Sequence, residues 1–231
     1  MKKRVLICMM LGLAMLTGCG KTSEAGDAAS NDEDTPAAAA ENAGSADSVA
    51  ENADSVSDEN VFIITLYPDT APITCENFEK LVSEGFYNGL TFHRVVDDFM
   101  AQGGDPQGTG MGGSGQTIKG EFASNGVENN LSHQRGIVSM ARSQDPDSAS
   151  SQFFICYGDE SFLDGNYAAF GEVTQGMEVV DSFLNVERVM SSSGEMASPT
   201  TPIVMKEVKM IDPDEENHPR VEVIMEDFLN K

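Results

Sequence analysis

TFHRVVDDFMAQGGD (91–105) and SQFFICYGDESFLDG (151–165) are the two stretches whose reading decides the fold. Each carries a short run of β-branched and aromatic residues and closes on glycine and aspartate, the pattern of a strand running into a tight turn. Alternation along a strand puts Met100 and Gln102 on one face of the first, and Gln152 and Phe154 on one face of the second. An arginine, a glutamine and scattered aromatics on separate strands are equally compatible with an ordinary peptide-binding face. Spacing alone names no reaction for it.

Working outward, VFIITLY (61–67) reads as a strand. Pro72 opens a helix whose apolar positions Ile73, Phe78, Leu81 and Val82 fit the helical period, and Gly85 ends it. Further β-like runs fall at 91–96, 98–102, 136–141, 152–157, 168–173 and 203–210, and a second helix over 177–186 buries Val179, Val180, Phe183 and Leu184. Many short strands, glycine-rich turns and only two helices predict a mainly β domain over 61–211, closed into an antiparallel barrel so that no strand edge is left open. The glycine string GTGMGGSG (108–115) lacks the Lys-Ser or Lys-Thr ending and the following helix of a phosphate loop. Neither His133 nor His218 has a carboxylate or cysteine neighbour at ligand spacing, so no metal site and no cofactor is expected.

The FHR string at 92–94 with FMAQGGD (99–105), and QFFIC (152–156) with FLDG (162–165), resemble the cyclophilins, the peptidyl-prolyl cis–trans isomerases, over about 150 residues. The resemblance implies an eight-stranded barrel capped by two helices. It makes Arg94 the catalytic arginine, with Gln102 hydrogen-bonding the substrate backbone beside it. Phe99, Met100, Phe154 and Leu163 would form the proline pocket, Gln152 would support an adjacent backbone contact, and the backbone at Ala141 and Arg142 would line the neighbouring subsite. Gly108 would leave room for substrate. Phe162 stands where many relatives carry tryptophan, Tyr167 replaces a histidine at the pocket edge, and Arg142 replaces an asparagine; the resemblance therefore implies catalysis with, at most, weak cyclosporin binding. Relatives also carry a full strand before the one at 61–67, where this chain has the polar ADSVSDEN (53–60).

Rotation about an X–Pro bond needs no nucleophile. The barrier of about 18–20 kcal/mol is amide resonance, and a site lowers it by binding the twisted amide better than either planar form. An arginine, always charged and carrying a rigid fork of donors, suits that task next to a shallow apolar pocket. A binding module that captures clients in the same groove would need the pocket but not Arg94.

At the start of the chain, Lys2, Lys3 and Arg4 precede an apolar run from Val5 to Leu16 and then Leu16-Thr17-Gly18-Cys19. About a dozen apolar residues are too few to span a bilayer, and the pattern reads as a signal peptide (1–18) with a lipobox whose Cys19 receives the lipid. Residues 20–60 hold eleven acids, one lysine and no aromatic, so 19–60 reads as a disordered acidic tether, and 212–231 as an acidic tail that could dock as strand or helix. Without the signal, eleven basic residues face thirty-eight acids, a net of −27 that disfavours nucleic acid as a partner. The expected partners are proline-containing unfolded or partly folded polypeptides and, through the lipid, an extracytoplasmic bacterial membrane. Cys75 and Cys156 read as buried free thiols.

Overall fold

The computed structural model describes residues 60–191 and 193–229. The signal, Cys19 and nearly all of the tether lie outside the described residues. Ten strands occur among the described residues: β1 (Val61–Leu66), β2 (Thr91–Val96), β3 (Met100–Asp105), β4 (Ile137–Met140), β5 (Phe153–Cys156), β6 (Ala169–Gln175), β7 (Arg188–Met190), β8 (Met196–Pro199), β9 (Met205–Ile211) and β10 (Arg220–Met225). Two helices, α1 (Pro72–Ser83) and α2 (Met177–Ser182), accompany them. Eight strands form one antiparallel sheet in the order β2-β3-β5-β4-β6-β1-β10-β9, and β7 and β8 form a separate hairpin.

The sheet is a curled half-barrel, open between β2 and β9, which corrects the expectation of closure. These edge strands meet at one end only, through a single bridge between Thr91 and Val204 and bonds such as Phe92 N–H to Ile203 O (2.9 Å) and Met205 N–H to Leu90 O (2.8 Å). The chain leading into β9 carries Pro199 and Pro202, which have no N–H to offer a ladder.

β1 has a neighbour on each edge: Ile63–Leu66 pair with β6, and Val61–Thr65 pair with β10. The C-terminal segment, left open between strand and helix by its sequence, is thus a strand between β1 and β9, in the slot next to β1 that a preceding strand would fill. β3 begins two residues later than expected because Asp97 and Asp98 make the turn, with Asp98 in the left-handed region (φ 55°) that aspartate tolerates. The predicted helix 177–186 is α-helical to Ser182 and tightens into a 3₁₀ turn over Phe183–Asn185.

α1 stops in a Schellman arrangement: Phe86 N–H reaches Leu81 O and Gly85 N–H reaches Val82 O, both 2.9 Å, with Gly85 at φ 69°. Its first turn is capped from a distance. The buried Glu121 carboxylate accepts from Ile73 N–H (3.1 Å), Thr74 N–H (2.7 Å) and the Thr74 hydroxyl (2.7 Å), placing negative charge at the positive end of the helix. Ile73, expected on the buried side, is 40% exposed, while Cys75, Phe78, Leu81 and Val82 face the core. That core is aromatic: Phe78 packs on Phe153 (5.4 Å between ring centroids) and Phe170 (5.1 Å), and Phe92 on Phe183 (4.9 Å). Cys75 and Cys156 are free and buried, and burial pushes each thiol up to about 12.

Candidate active site

Strand alternation sends Phe153 and Ile155 into the core and leaves Phe154 and Cys156 for the opposite face of the sheet. There Met100, Phe154, Cys156 and Leu163 form a second apolar cluster, bordered by Val96, Phe99, Ala141 and Tyr167. Register lines up the polar groups. Arg94 of β2 lies opposite Gln102 of β3, which lies opposite Phe154 of β5; one step along, Val96, Met100 and Cys156 form the parallel row. Arg94 and Gln102 therefore run directly beside the apolar row, on strands whose spacing the backbone ladder sets.

Arg94 is held on two sides. Its Nη1 donates to Gln102 Oε1 (3.2 Å) and lies 3.8 Å from the Met100 sulfur, while Nε and Nη2 donate to the two carboxylate oxygens of Glu195 at 2.7 and 3.1 Å. The guanidinium carbon sits 5.7 Å from the Phe99 ring centroid. Asp97, a neighbour in sequence, is taken instead by Arg188 (2.8 Å). Gln102 Nε2 donates to Gln152 Oε1 (2.8 Å), and Gln152 Nε2 donates to Gly112 O (2.8 Å), so a continuous chain runs from the arginine to the glycine-rich loop.

The remaining predicted residues take distinct places. Phe162 is 63% exposed and stacks on Phe99 at 5.9 Å, forming one rim. Tyr167 meets Phe154 edge-on at 5.9 Å and carries the Arg142 guanidinium 4.8 Å from its ring centroid. Arg142 is pinned further by Asn166 O (2.8 Å from Nη2), and Ala141 N–H bonds Gln152 O (2.9 Å), the residue that also joins Gln102. Gly108 lies over β2, where an added Cβ would meet only Thr91 Oγ1 at 3.7 Å; Gly112 is the loop glycine joined to the site.

Four features escaped the sequence. Asp105 organises the glycine-rich loop by accepting from Gln107 N–H (2.8 Å), Thr109 N–H (2.9 Å) and Gly110 N–H (2.6 Å). Burial would raise its carboxyl, but these backbone donors outweigh burial and hold it below the usual range. Beneath Phe154 lies His133, stacked at 6.0 Å, with Nδ1 on Asp164 (2.7 Å) and Nε2 on Ser139 (2.9 Å). Burial lowers the His133 pKa against the pull of Asp164, and the buried ring supports the pocket floor. His218, read as lacking a carboxylate neighbour, lies 3.1 Å from Asp214. Glu195 is the fourth, 101 residues from Arg94 with no motif to join them.

The family model of the cyclophilin type peptidyl-prolyl cis-trans isomerases matches residues 53–210. Peptidyl-prolyl cis-trans isomerase B of Bacillus subtilis is 47% identical over 128 residues, 55% of this chain and 86% of that protein. A Helicobacter pylori peptidyl-prolyl cis-trans isomerase is 45% identical over 139 residues, 58% of this chain and 82% of the relative. Among solved structures, a Cryptosporidium parvum cyclophilin type isomerase, crystallised in the presence of the dipeptide Ala-Pro, superposes with a TM-score of 0.55 at 30% identity, over 73% of this chain and 99% of its own. With the apolar cluster, the arginine and the two glutamines arranged on such a sheet, the chain belongs to the cyclophilin type peptidyl-prolyl cis-trans isomerases.

Proposed function

We propose that this isomerase acts on proline-containing unfolded or partly folded polypeptides outside the cytoplasm, from a lipid anchor at Cys19, and that Arg94 stabilises the twisted prolyl amide. The observation that carries the reading is the Nη1 edge of Arg94, between Gln102 Oε1 and the Met100 sulfur at the border of the apolar cluster. The proline ring fits against Met100, Phe154 and Leu163, which places the prolyl nitrogen next to that edge. As resonance is lost the nitrogen lone pair becomes available, and a donor already aimed there gains strength only in the transition state. Gln102, tied to Gln152, holds the substrate backbone on the same side. The Ala-Pro dipeptide named for the Cryptosporidium parvum neighbour supports the substrate class. The basic start, short apolar run and Leu-Thr-Gly-Cys string support the anchor and the extracytoplasmic setting.

A protease-coupled proline-isomerisation assay on the full-length chain tests the reading. Arg94→Ala lowers kcat/KM at least about a hundredfold, on the order of 3 kcal/mol of transition-state stabilisation, with circular dichroism unchanged. Activity within a few-fold of the parent would instead leave the groove as a client-binding surface.

A further inference from the structure

The β7–β8 hairpin is fastened to β2 and its turn by charge. Arg188 in β7 reaches Asp97 in the β2–β3 turn with contacts of 2.8 and 3.1 Å, and Glu195, just before β8, reaches Arg94 within β2. Little apolar surface holds the hairpin down: Val189, Met190 and Met196 are about half exposed or more, and of this group only Ala197 is fully buried. The backbone at Glu195 is itself fixed, since Ser191 N–H donates to Glu195 O (2.7 Å) and Gly194 N–H donates to Ser191 O (3.0 Å) across a turn with Gly194 at φ 80°.

A guanidinium presents three donor edges. A carboxylate that grips Nε and Nη2 together takes the side-on edge and leaves both Nη1 hydrogens on the far side. Here that far side faces Gln102 and the Met100 sulfur, and a neutral sulfur at 3.8 Å is a weak partner that an arriving amide nitrogen displaces at little cost. Glu195 thus grips the arginine by the edge turned away from the apolar cluster. Without it, Arg94 would rely on one bond to Gln102 at 3.2 Å and could rotate about its long side chain.

We propose that Glu195 is a positioning residue for Arg94, locking the guanidinium plane so that its Nη1 edge faces the prolyl nitrogen; this rests on the reading of Arg94 as the transition-state donor. The hairpin is then part of the catalytic apparatus, through a residue that itself touches no substrate. A group that acts only by aiming a transition-state donor changes turnover more than ground-state binding.

The test uses the full-length chain and the near-isosteric Glu195→Gln, with Arg94→Ala and the double substitution. Glu195→Gln lowers kcat on the order of tenfold while KM stays within about twofold, because orientation is lost and the pocket is not. In the Arg94→Ala background the same change costs nothing further, since there is no guanidinium left to aim. The Arg94 Nε–H resonance, protected in the parent by Glu195, exchanges rapidly in Glu195→Gln. An unchanged or faster kcat in Glu195→Gln would overturn the proposal, a faster one meaning that the carboxylate competes with substrate for the arginine. A further slowing of Arg94→Ala by the second substitution would overturn it too, by showing that the hairpin matters only through folding. Failure of the underlying reading shows separately, as an inactive parent or a fully active Arg94→Ala.

Discussion

Arg94 has two aspartates three and four positions ahead of it, yet its carboxylate partner comes from the far end of the chain, so the charge environment of a residue is a property of the folded surface. Phe162 shows the converse, an effect carried by one side chain alone. It is the exposed rim of the pocket, stacked on Phe99, and a benzene ring there cannot donate the hydrogen bond that the indole of many relatives gives to cyclosporin. Phe162→Trp should tighten cyclosporin inhibition at least about fivefold, the worth of roughly 1 kcal/mol of net hydrogen bonding, with little change in turnover. Parallel inhibitor titrations of the two proteins check this, and nanomolar inhibition of the parent would count against it. Glu160, next to that rim in sequence, is 6% exposed, and burial, with Asp159 and Asp98 nearby, pushes its carboxyl up to about 7. An unfolded glutamate titrates near 4.3, so between about 4.3 and 7 the folded chain binds more protons than the unfolded one and stability falls as pH rises. Glu160→Gln should remove that fall: melting temperatures of the two proteins coincide at pH 4 and diverge by pH 8, where the variant melts higher. A constant difference across that range would mean that Glu160 does not titrate in this window.

Among the elements, β10 has the largest consequence. Val221, Val223 and Met225 alternate toward the core and Phe228 follows them, packed on Phe183 at 5.4 Å. Four buried apolar side chains at about 1.5–3 kcal/mol each are worth at least about 6 kcal/mol, comparable with the whole stability of an ordinary domain. Their loss would also bare the edges of β1 and β9, an invitation to pair with other chains. A chain ending at Asp212 should therefore lack a cooperative melt by circular dichroism and elute as aggregate, whereas a monomer melting like the parent would show that β10 is dispensable. The alternating valines were visible in the sequence, but which strand they join was not, because an acidic stretch with two prolines separates them from β9 and pairing partners leave no local mark. β7 and β8 were missed for another reason: with Val189, Met190 and Met196 exposed, neither strand has the buried, alternating face that periodicity detects.

For the molecule as a whole, the anchor is argued from sequence alone, and its test is direct: Cys19→Ser should abolish lipid labelling and move the protein from the membrane to the soluble fraction, while unchanged fractionation would exclude the lipobox. The sequence by itself determined the family, the pairing of Met100 with Gln102 and of Gln152 with Phe154 on shared faces, and the two helices, because period-2 and period-3.6 patterns and turn residues are local and survive in a linear string. Closure, and the arginine's second partner, were decided only in three dimensions. β2 and the chain entering β9, about a hundred residues apart, meet at a single bridge, and what grips Arg94 depends on a short charged hairpin brought to it by the curl of the sheet. Contacts of that separation are selected by the geometry of the assembled backbone, which no window of neighbouring residues contains.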